Sequence, residues 1–379
     1  MKDIIIFLAL TLFCSIGFSQ SGWDNQDSGG NRFLSDVCFV DEMNGWAVGQ
    51  TNTILSTSNG GSIWTEQEVN PSSNYWSVYF YNQNTGWASG SNGKIVHTTN
   101  GGEQWMDQVS GTNRNLWDIF FLNEDLGWIA GGKENDFTDP IQMILHTENG
   151  GQSWSFILYD SGEWPLHSVF FINPLTGWAV GEVGAILSTT NGGSNWVNQS
   201  SGTNQHLLEV LFIDSNNGWI VGDSGTVLQT ENGGATWTSL DIGTNESLQS
   251  IEIIDETKIW IVGGGLNNGK VFHSFDGGTS WSSQYDGTLG PFTGVSFPDQ
   301  VHGWAVGYSG SVIYTSTGGS SCDPPADINM DDVVDILDIV IIVDCIIEYS
   351  QCPCADINQD GLVDVLDLVM IVQLILSDN

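Results

Sequence analysis

The stretch Ser168 to Trp196, SVFFINPLTGWAVGEVGAILSTTNGGSNW, decides the fold. Three apolar runs (Val169 to Ile172, Trp178 to Val180, Ala185 to Leu187) are strand-sized and separated by Gly and Asn, and no helical period links them. The same pattern recurs along the chain. A Gly-Trp pair or its equivalent stands at Trp46, Trp87, Trp128, Trp178, Trp219, Trp260 and Trp304, in steps of 41, 41, 50, 41, 41 and 44 residues. A second signature, Thr57-Ser-Asn-Gly-Gly-Ser-Ile-Trp64, returns in copies ending at Trp105, Trp154, Trp196, Trp237 and Trp281. Four short strands per repeat, seven times over, predict an all-β seven-bladed propeller in which each blade covers its neighbour's apolar face; a linear solenoid is the rival.

The ends of the array favour the ring. The seventh repeat reaches Thr315-Ser-Thr-Gly-Gly319 and then has Cys322 where a Trp is due. The missing piece is at the other end: Trp23-Asp-Asn-Gln-Asp-Ser-Gly29 parallels Trp196-Val-Asn-Gln-Ser-Ser-Gly202. An N-terminal strand that completes the last blade predicts closure over residues 21–321.

Thr/Ser-x-Asn/Asp-x-Gly-x-x-Trp resembles the Asp-box (BNR) turn of sialidases and other glycan-active propellers. Gly-Trp-Ala-Val-Gly followed by Thr-x-Asn-Gly-Gly-x-x-Trp is similar to the photosystem II assembly and stability factors. Both resemblances imply the propeller fold. In each box, Asn59, Asn100, Asn149, Asn191, Asn232 or Asp276 is expected to cap a tight turn, with Gly at positive φ and Trp between blades. A sialidase holds its substrate carboxylate with an arginine triad. This chain has only Arg32 and Arg114, so sialidase activity is excluded, and the basic patch of the photosynthetic factors is missing too.

The 379 residues include 45 Asp plus Glu against 7 Lys plus Arg, a net charge of −38, which disfavours nucleic acid and anionic membranes as partners. Met1 to Gln20, with its apolar run Ile4 to Phe13, reads as a secretory signal peptide, and the run is too short to span a bilayer. The mature protein is thus expected to be secreted or cell-surface associated.

The rim where each innermost strand begins carries the candidate ligand residues Arg32, Tyr75, Trp76, Arg114, Trp117, Trp164, His167 and His206, with Phe292 beside them. Exposed aromatics bind apolar sugar faces or partner surfaces; packing between blades is the competing role for Trp76 and Trp117. Asp36, Asp118 and Glu209 alternate with Ser77, Ser168 and Ser250, as a solvated channel wall or a cation site. Glycoside hydrolysis would require two carboxylates across a cleft, and the sequence nominates no such pair.

After Ser321 the composition changes, with no Lys or Arg through Asn379. A 29-residue unit is duplicated. Asp327, Asn329, Asp331, Val333 (by its carbonyl), Asp335 and Asp338 have the spacing of an EF-hand-type Ca²⁺ loop, as do Asp356, Asn358, Asp360, Leu362, Asp364 and Asp367. Gly361 fills the sixth position of the second loop and Asp332 that of the first, which is expected to bind less tightly. Asp at position 12, and one apolar helix after each loop with none before it, resemble a dockerin. That resemblance implies two Ca²⁺ ions and a cohesin partner for residues 322–379, read through Ile336-Leu337 and Val365-Leu366. Cys352 and Cys354 are expected to bond to Cys322 and Cys345, with a four-cysteine zinc site as the lesser option, and Cys38 to be a buried apolar residue.

The sequence thus predicts a secreted propeller that binds glycan or protein, carried by a Ca²⁺-dependent dockerin on a cohesin-bearing scaffold. The alternative is a polysaccharide-degrading glycoside hydrolase of a cellulosome-like system.

Overall fold

The computed structural model describes residues 22–69, 73–133, 141–161 and 163–319, and in the C-terminal region residues 326, 334, 336–348, 355, 357 and 363–377. Met1 to Gln20, expected to be a signal peptide, residues 134–140 of the third-repeat insertion, and Cys322, Cys352 and Cys354 lie outside them, as does the side chain of Cys345.

Seven four-stranded antiparallel sheets form the blades. Blade one runs from its innermost strand, Leu34–Phe39, through Gly45–Gly49 and Thr53–Thr57 to Thr65–Glu66 at the outside. The innermost strands of blades two to seven are Tyr75–Phe80, Asn115–Phe121, Leu166–Phe171, Leu207–Phe212, Ser247–Ile253 and Phe292–Ser296. Each packs on the next, and that of blade seven packs on that of blade one, so the ring is closed. The outer strand of blade seven is Asp24–Asp27, paired antiparallel with Ser311–Thr315 (Asp24 opposite Tyr314). A solenoid is therefore ruled out.

The two tryptophans of each repeat fasten this ring. At six of the seven seams the Gly-Trp residue of one blade stacks on a Phe at the end of the next blade's innermost strand, for example Trp46 on Phe80 at 3.5 Å, Trp87 on Phe121 at 3.7 Å and Trp304 on Phe39 at 3.6 Å; blade six has Ile253 there instead. The box Trp meets the same Phe edge-on, as with Trp105 and Phe80 at 5.8 Å. Trp23 takes that place against Phe297, also at 5.8 Å. Each such pair contributes about 0.5–1.5 kcal/mol beyond its buried area.

The boxes are turns. Thr57 Oγ1 accepts the N–H of Gly61, and Asn59 Oδ1 accepts that of Ile63. Gly60 and Gly61 have φ of 65° and 80°, which a side chain would oppose.

In the C-terminal region two helices, α1 (Ile336–Glu348) and α2 (Val365–Ser377), share a small core of Ala326, Ile342, Ala355 and Ile371. Ala326 and Ala355, and Ile342 and Ile371, are each 29 residues apart, so the sequence duplication is also a duplication of the core.

Candidate functional site

The innermost strands wall a central channel, and each carries one β-bulge near its start. The register slips between Leu34 and Asp36, Tyr75 and Ser77, Leu116 and Asp118, and at the matching place in every other blade. The residue left unpaired is Ser35, Trp76, Trp117, His167, Leu208, Gln249 or Thr293. A bulge re-aims its side chain, and three consecutive blades use it to place rings side by side. The centroids of Trp76 and Trp117 are 5.0 Å apart, and those of Trp117 and His167 are 5.8 Å apart. All three residues are half-buried. The indole nitrogens of both tryptophans are turned inward without a partner, so the side-chain surface they offer is ring carbon. Burial, reinforced by His206, lowers the His167 pKa to about 4, so this ladder is uncharged at neutral pH.

The ladder lies at the rim where the innermost strands begin. The turn between the second and third strands closes on the same rim, since Ser91 N donates to Asn74 O and Asp223 N to His206 O. The box turns sit at the opposite rim, tied to the turn between the first two strands, as with Gly60 N and Met43 O.

The other rim candidates separate. Tyr75 does not belong to the site: it is fully buried, at the position that Leu34, Leu116 and Leu166 occupy in their blades, and packs with Trp46, Val48 and Ile54. Phe292 is a core residue for the same reason. The bulge explains both, because two successive residues there leave the period of two. Arg32 is exposed and ion-paired with Glu66 on the outer strand of blade one. Arg114 lines a separate cleft with Val109, Phe156 and Tyr159 between blades two and three. The Trp164 carbonyl accepts the side chain of Gln142. His206 is half-buried, within electrostatic reach of His167.

One step further along each strand stand Asp36, Ser77, Asp118, Ser168, Glu209, Ser250 and Gly294. These side chains bridge the blades. Asp36 Oδ2 accepts the N–H of Val78 at 2.9 Å, Asp118 Oδ2 that of Val169 at 2.9 Å, and Glu209 Oε2 that of Ile251 at 2.7 Å. Ser77, Ser168 and Ser250 accept Ile119, Val210 and Val295 at 3.3 Å. Gly294 has nothing to offer Val37, whose N–H goes to Asp36 Oδ1 of its own chain segment at 2.8 Å. A channel-side strand has no neighbour to take these donors, so a side chain of the adjacent blade does. Burial pushes the pKa of Asp36 up to about 7 and raises those of Asp118 and Glu209. Further along, Glu252 accepts Phe297 N and is likewise pushed to about 7 by burial. Cys38 is half-buried, accepts Phe80 N on its sulfur and has its thiol pushed to about 12 by burial.

Of the twelve Ca²⁺-ligand candidates, Asp338, Asp364 and Asp367 are described; Asp327, Asn329, Asp331, Val333, Asp335, Asp356, Asn358, Asp360 and Leu362 lie outside the described residues. Asp338 and Asp367, the two twelfth positions, are fully buried. Asp367 accepts Ile357 N at 2.8 Å on one oxygen and Asp364 N at 2.9 Å on the other. Asp364 caps the start of α2 by accepting Leu366 N. Carboxylate oxygens of this kind suit a hard cation.

The family model described as Photosynthesis system II assembly factor YCF48 matches residues 17–111 and 195–287. No curated protein matches the sequence. Among solved structures, YCF48 bound to D1 peptide is similar at 19% identity and a TM-score of 0.64, over 78% of this chain and 97% of that one. YCF48 from Cyanidioschyzon merolae is similar at 18% and 0.62, over 77% and 98%. The GH74 enzyme of Niastella koreensis is similar at 13% and 0.62, over 77% of this chain but only 53% of its own. The chain carries a seven-bladed BNR propeller like that of the photosystem II assembly factor YCF48.

Proposed function

We propose that this propeller is a noncatalytic binding module of a secreted protein, engaging a protein or glycan through the ring ladder at its channel mouth. Residues 322–379 would act as a Ca²⁺-dependent dockerin that fixes it to a cohesin-bearing scaffold or surface. The observation that carries the binding reading is the run of bulges placing Trp76, Trp117 and His167 side by side, uncharged and with ring carbon outward. Such a surface suits apolar side chains or the C–H faces of neutral sugars. A relative solved with a bound peptide supports a protein ligand.

The second reading, polysaccharide hydrolysis, is favoured by the fold shared with a GH74 enzyme. Against it, the buried carboxyls with raised pKa, Asp36, Asp118, Glu209 and Glu252, all take backbone N–H groups of the adjacent blade. The test is a panel of peptides and neutral oligosaccharides, scored for both binding and hydrolysis with the full chain. Binding without turnover, weakened roughly 10- to 100-fold by Trp76→Ala or Trp117→Ala, is the expected result. Turnover of a polysaccharide, or binding indifferent to both substitutions, overturns the proposal.

A further inference from the structure

At the rim carrying the box turns, the first two strands of each blade are joined by a turn whose leading residue accepts backbone N–H groups. In blade seven that residue is Asp299. Its Oδ1 is held by the N–H groups of Val301 and His302 at 2.8 and 2.7 Å, which leaves Oδ2 2.7 Å from His302 Nδ1. Glu42 of blade one approaches the same nitrogen, with Oε2 at 4.0 Å. The three ligand-type atoms lie within 4.8 Å of one another, across the seam where the ring closes.

The corresponding seam between blades one and two makes the contrast. There Gln83 stands where Glu42 stands, and its amide donates to Asp41, the counterpart of Asp299, at 2.7 Å. A neutral donor meets a carboxylate. At the closing seam two carboxylates meet instead, with one imidazole between them. Even a protonated His302 balances only one of the two charges. Glutamate also stands at the Glu42 position in Glu124 and Glu256, and aspartate leads the turn at Asp41, Asp214 and Asp255, so what this seam adds is an imidazole nitrogen beside the two carboxylates. His stands at the 302 position, whereas Asn44 and Asn217 occupy it in blades one and five and bond to their own turn aspartates.

We infer that Glu42, Asp299 and His302 form a site for a divalent transition metal of the zinc class, clasping blade seven to blade one. An imidazole nitrogen with two carboxylate oxygens is a three-ligand set that leaves a fourth position to water, and the nitrogen selects zinc-like ions over calcium. Tetrahedral bonds of about 2.0–2.2 Å put neighbouring ligand atoms about 3.3–3.5 Å apart. The two distances from His302 Nδ1, 2.7 and 4.0 Å, straddle that value, so only small side-chain shifts are required. The Glu42 side chain is 54% exposed and free to make such a shift, while His302 is 14% exposed and well anchored. The chain's net charge of −38 further favours cations near its surface.

The experiment is calorimetric titration of Zn²⁺ into the full chain in saturating Ca²⁺, with Co²⁺ absorption as a second readout. His302→Asn and Glu42→Gln are the variants, because Asn and Gln already stand at the matching positions of other blades and preserve the turn and seam bonds. The wild type should bind one Zn²⁺ that each variant weakens at least about 10-fold. Its Co²⁺ form should show ligand-field bands without a thiolate charge-transfer band. No Zn²⁺ uptake by the wild type, uptake equal in both variants, or a thiolate band that places the ion on cysteines would each overturn the site.

Discussion

The Asp36 carboxylate takes Val37 N on one oxygen and Val78 N on the other, so a single side chain serves both its own blade and the next. Holding it there in the charged form is costly, and its pKa rises from 3.8 to about 7, through burial first and then the neighbouring Asp118. Between these values the folded protein binds a proton that the unfolded chain has released. The stability this contributes is complete below about pH 4 and is lost as the pH rises through 7. Three units amount to at most on the order of 4 kcal/mol. Asp36→Asn, which cannot ionise, should flatten the fall in stability between pH 4 and 8 by up to that amount; denaturant melts at several pH values measure it. An unchanged profile would mean that the channel water solvates Asp36 as well as bulk water does. The alternation of Asp36, Asp118 and Glu209 with three serines was legible in the sequence. Their partners were not, because each lies 42 to 51 residues away on another blade and comes near only once the ring has formed. Tyr75 was misread beside Trp76 because nothing in a single sequence marks a bulge.

The strands are joined across most seams by one repeated device. Gln67 Nε2 donates to the carbonyl of Gly101 in the next box, while its Oε1 accepts the Trp105 indole N–H; Gln108 does the same with Gly150 and Trp154. Gln26, on the N-terminal strand, donates to Gly60 and so extends the device through the closing seam. Blade three has Ile157 at this position, lying against Gly193 as the glutamines lie against their glycines. Across that seam Trp128 Nε1 and Trp196 Nε1 are both buried without a partner. Ile157→Gln should supply an acceptor for Trp196 and a donor for the box carbonyl. Two net hydrogen bonds are worth about 1–2 kcal/mol. The expected outcome is a higher denaturant midpoint with an unchanged m-value. A lower midpoint would show that the packing of Ile157 outweighs both bonds. The glutamine recurs visibly in the sequence three residues after Trp23, Trp64, Trp105, Trp196 and Trp281, yet its role depends on which carbonyl the neighbouring turn presents. Spacing within a repeat does not encode that.

For the molecule as a whole, the sequence specified closure because its repeat is cut across the termini, and Trp23 meets Phe297 and Gln284 as the cut requires. Trp23 is almost fully buried, so Trp23→Ala should cost about 3–5 kcal/mol in unfolding measurements and expose the seam between blades six and seven. A loss below 1 kcal/mol would mean that strand pairing alone holds the ring. The C-terminal region has a different physical basis. Among the described residues its fully buried core is Ala326 with Ala355 and Ile342 with Ile371, repeated at 29, with partly buried apolar side chains of both halves against it, and domains this small commonly rely on a further tie. The fully buried Asp338 and Asp367 are the natural point for that tie, since their carboxylates stand at the start of each helix. If calcium supplies it, its binding free energy becomes folding free energy for the helices and leaves the propeller unaffected. Calorimetry of the full chain should then give two transitions in Ca²⁺. A chelator should abolish the smaller one together with the helical circular dichroism, and Asp367→Ala should reproduce half of that loss. Helical signal and both transitions persisting through chelation would show that the duplicated core is self-sufficient and would remove calcium from the account of this region.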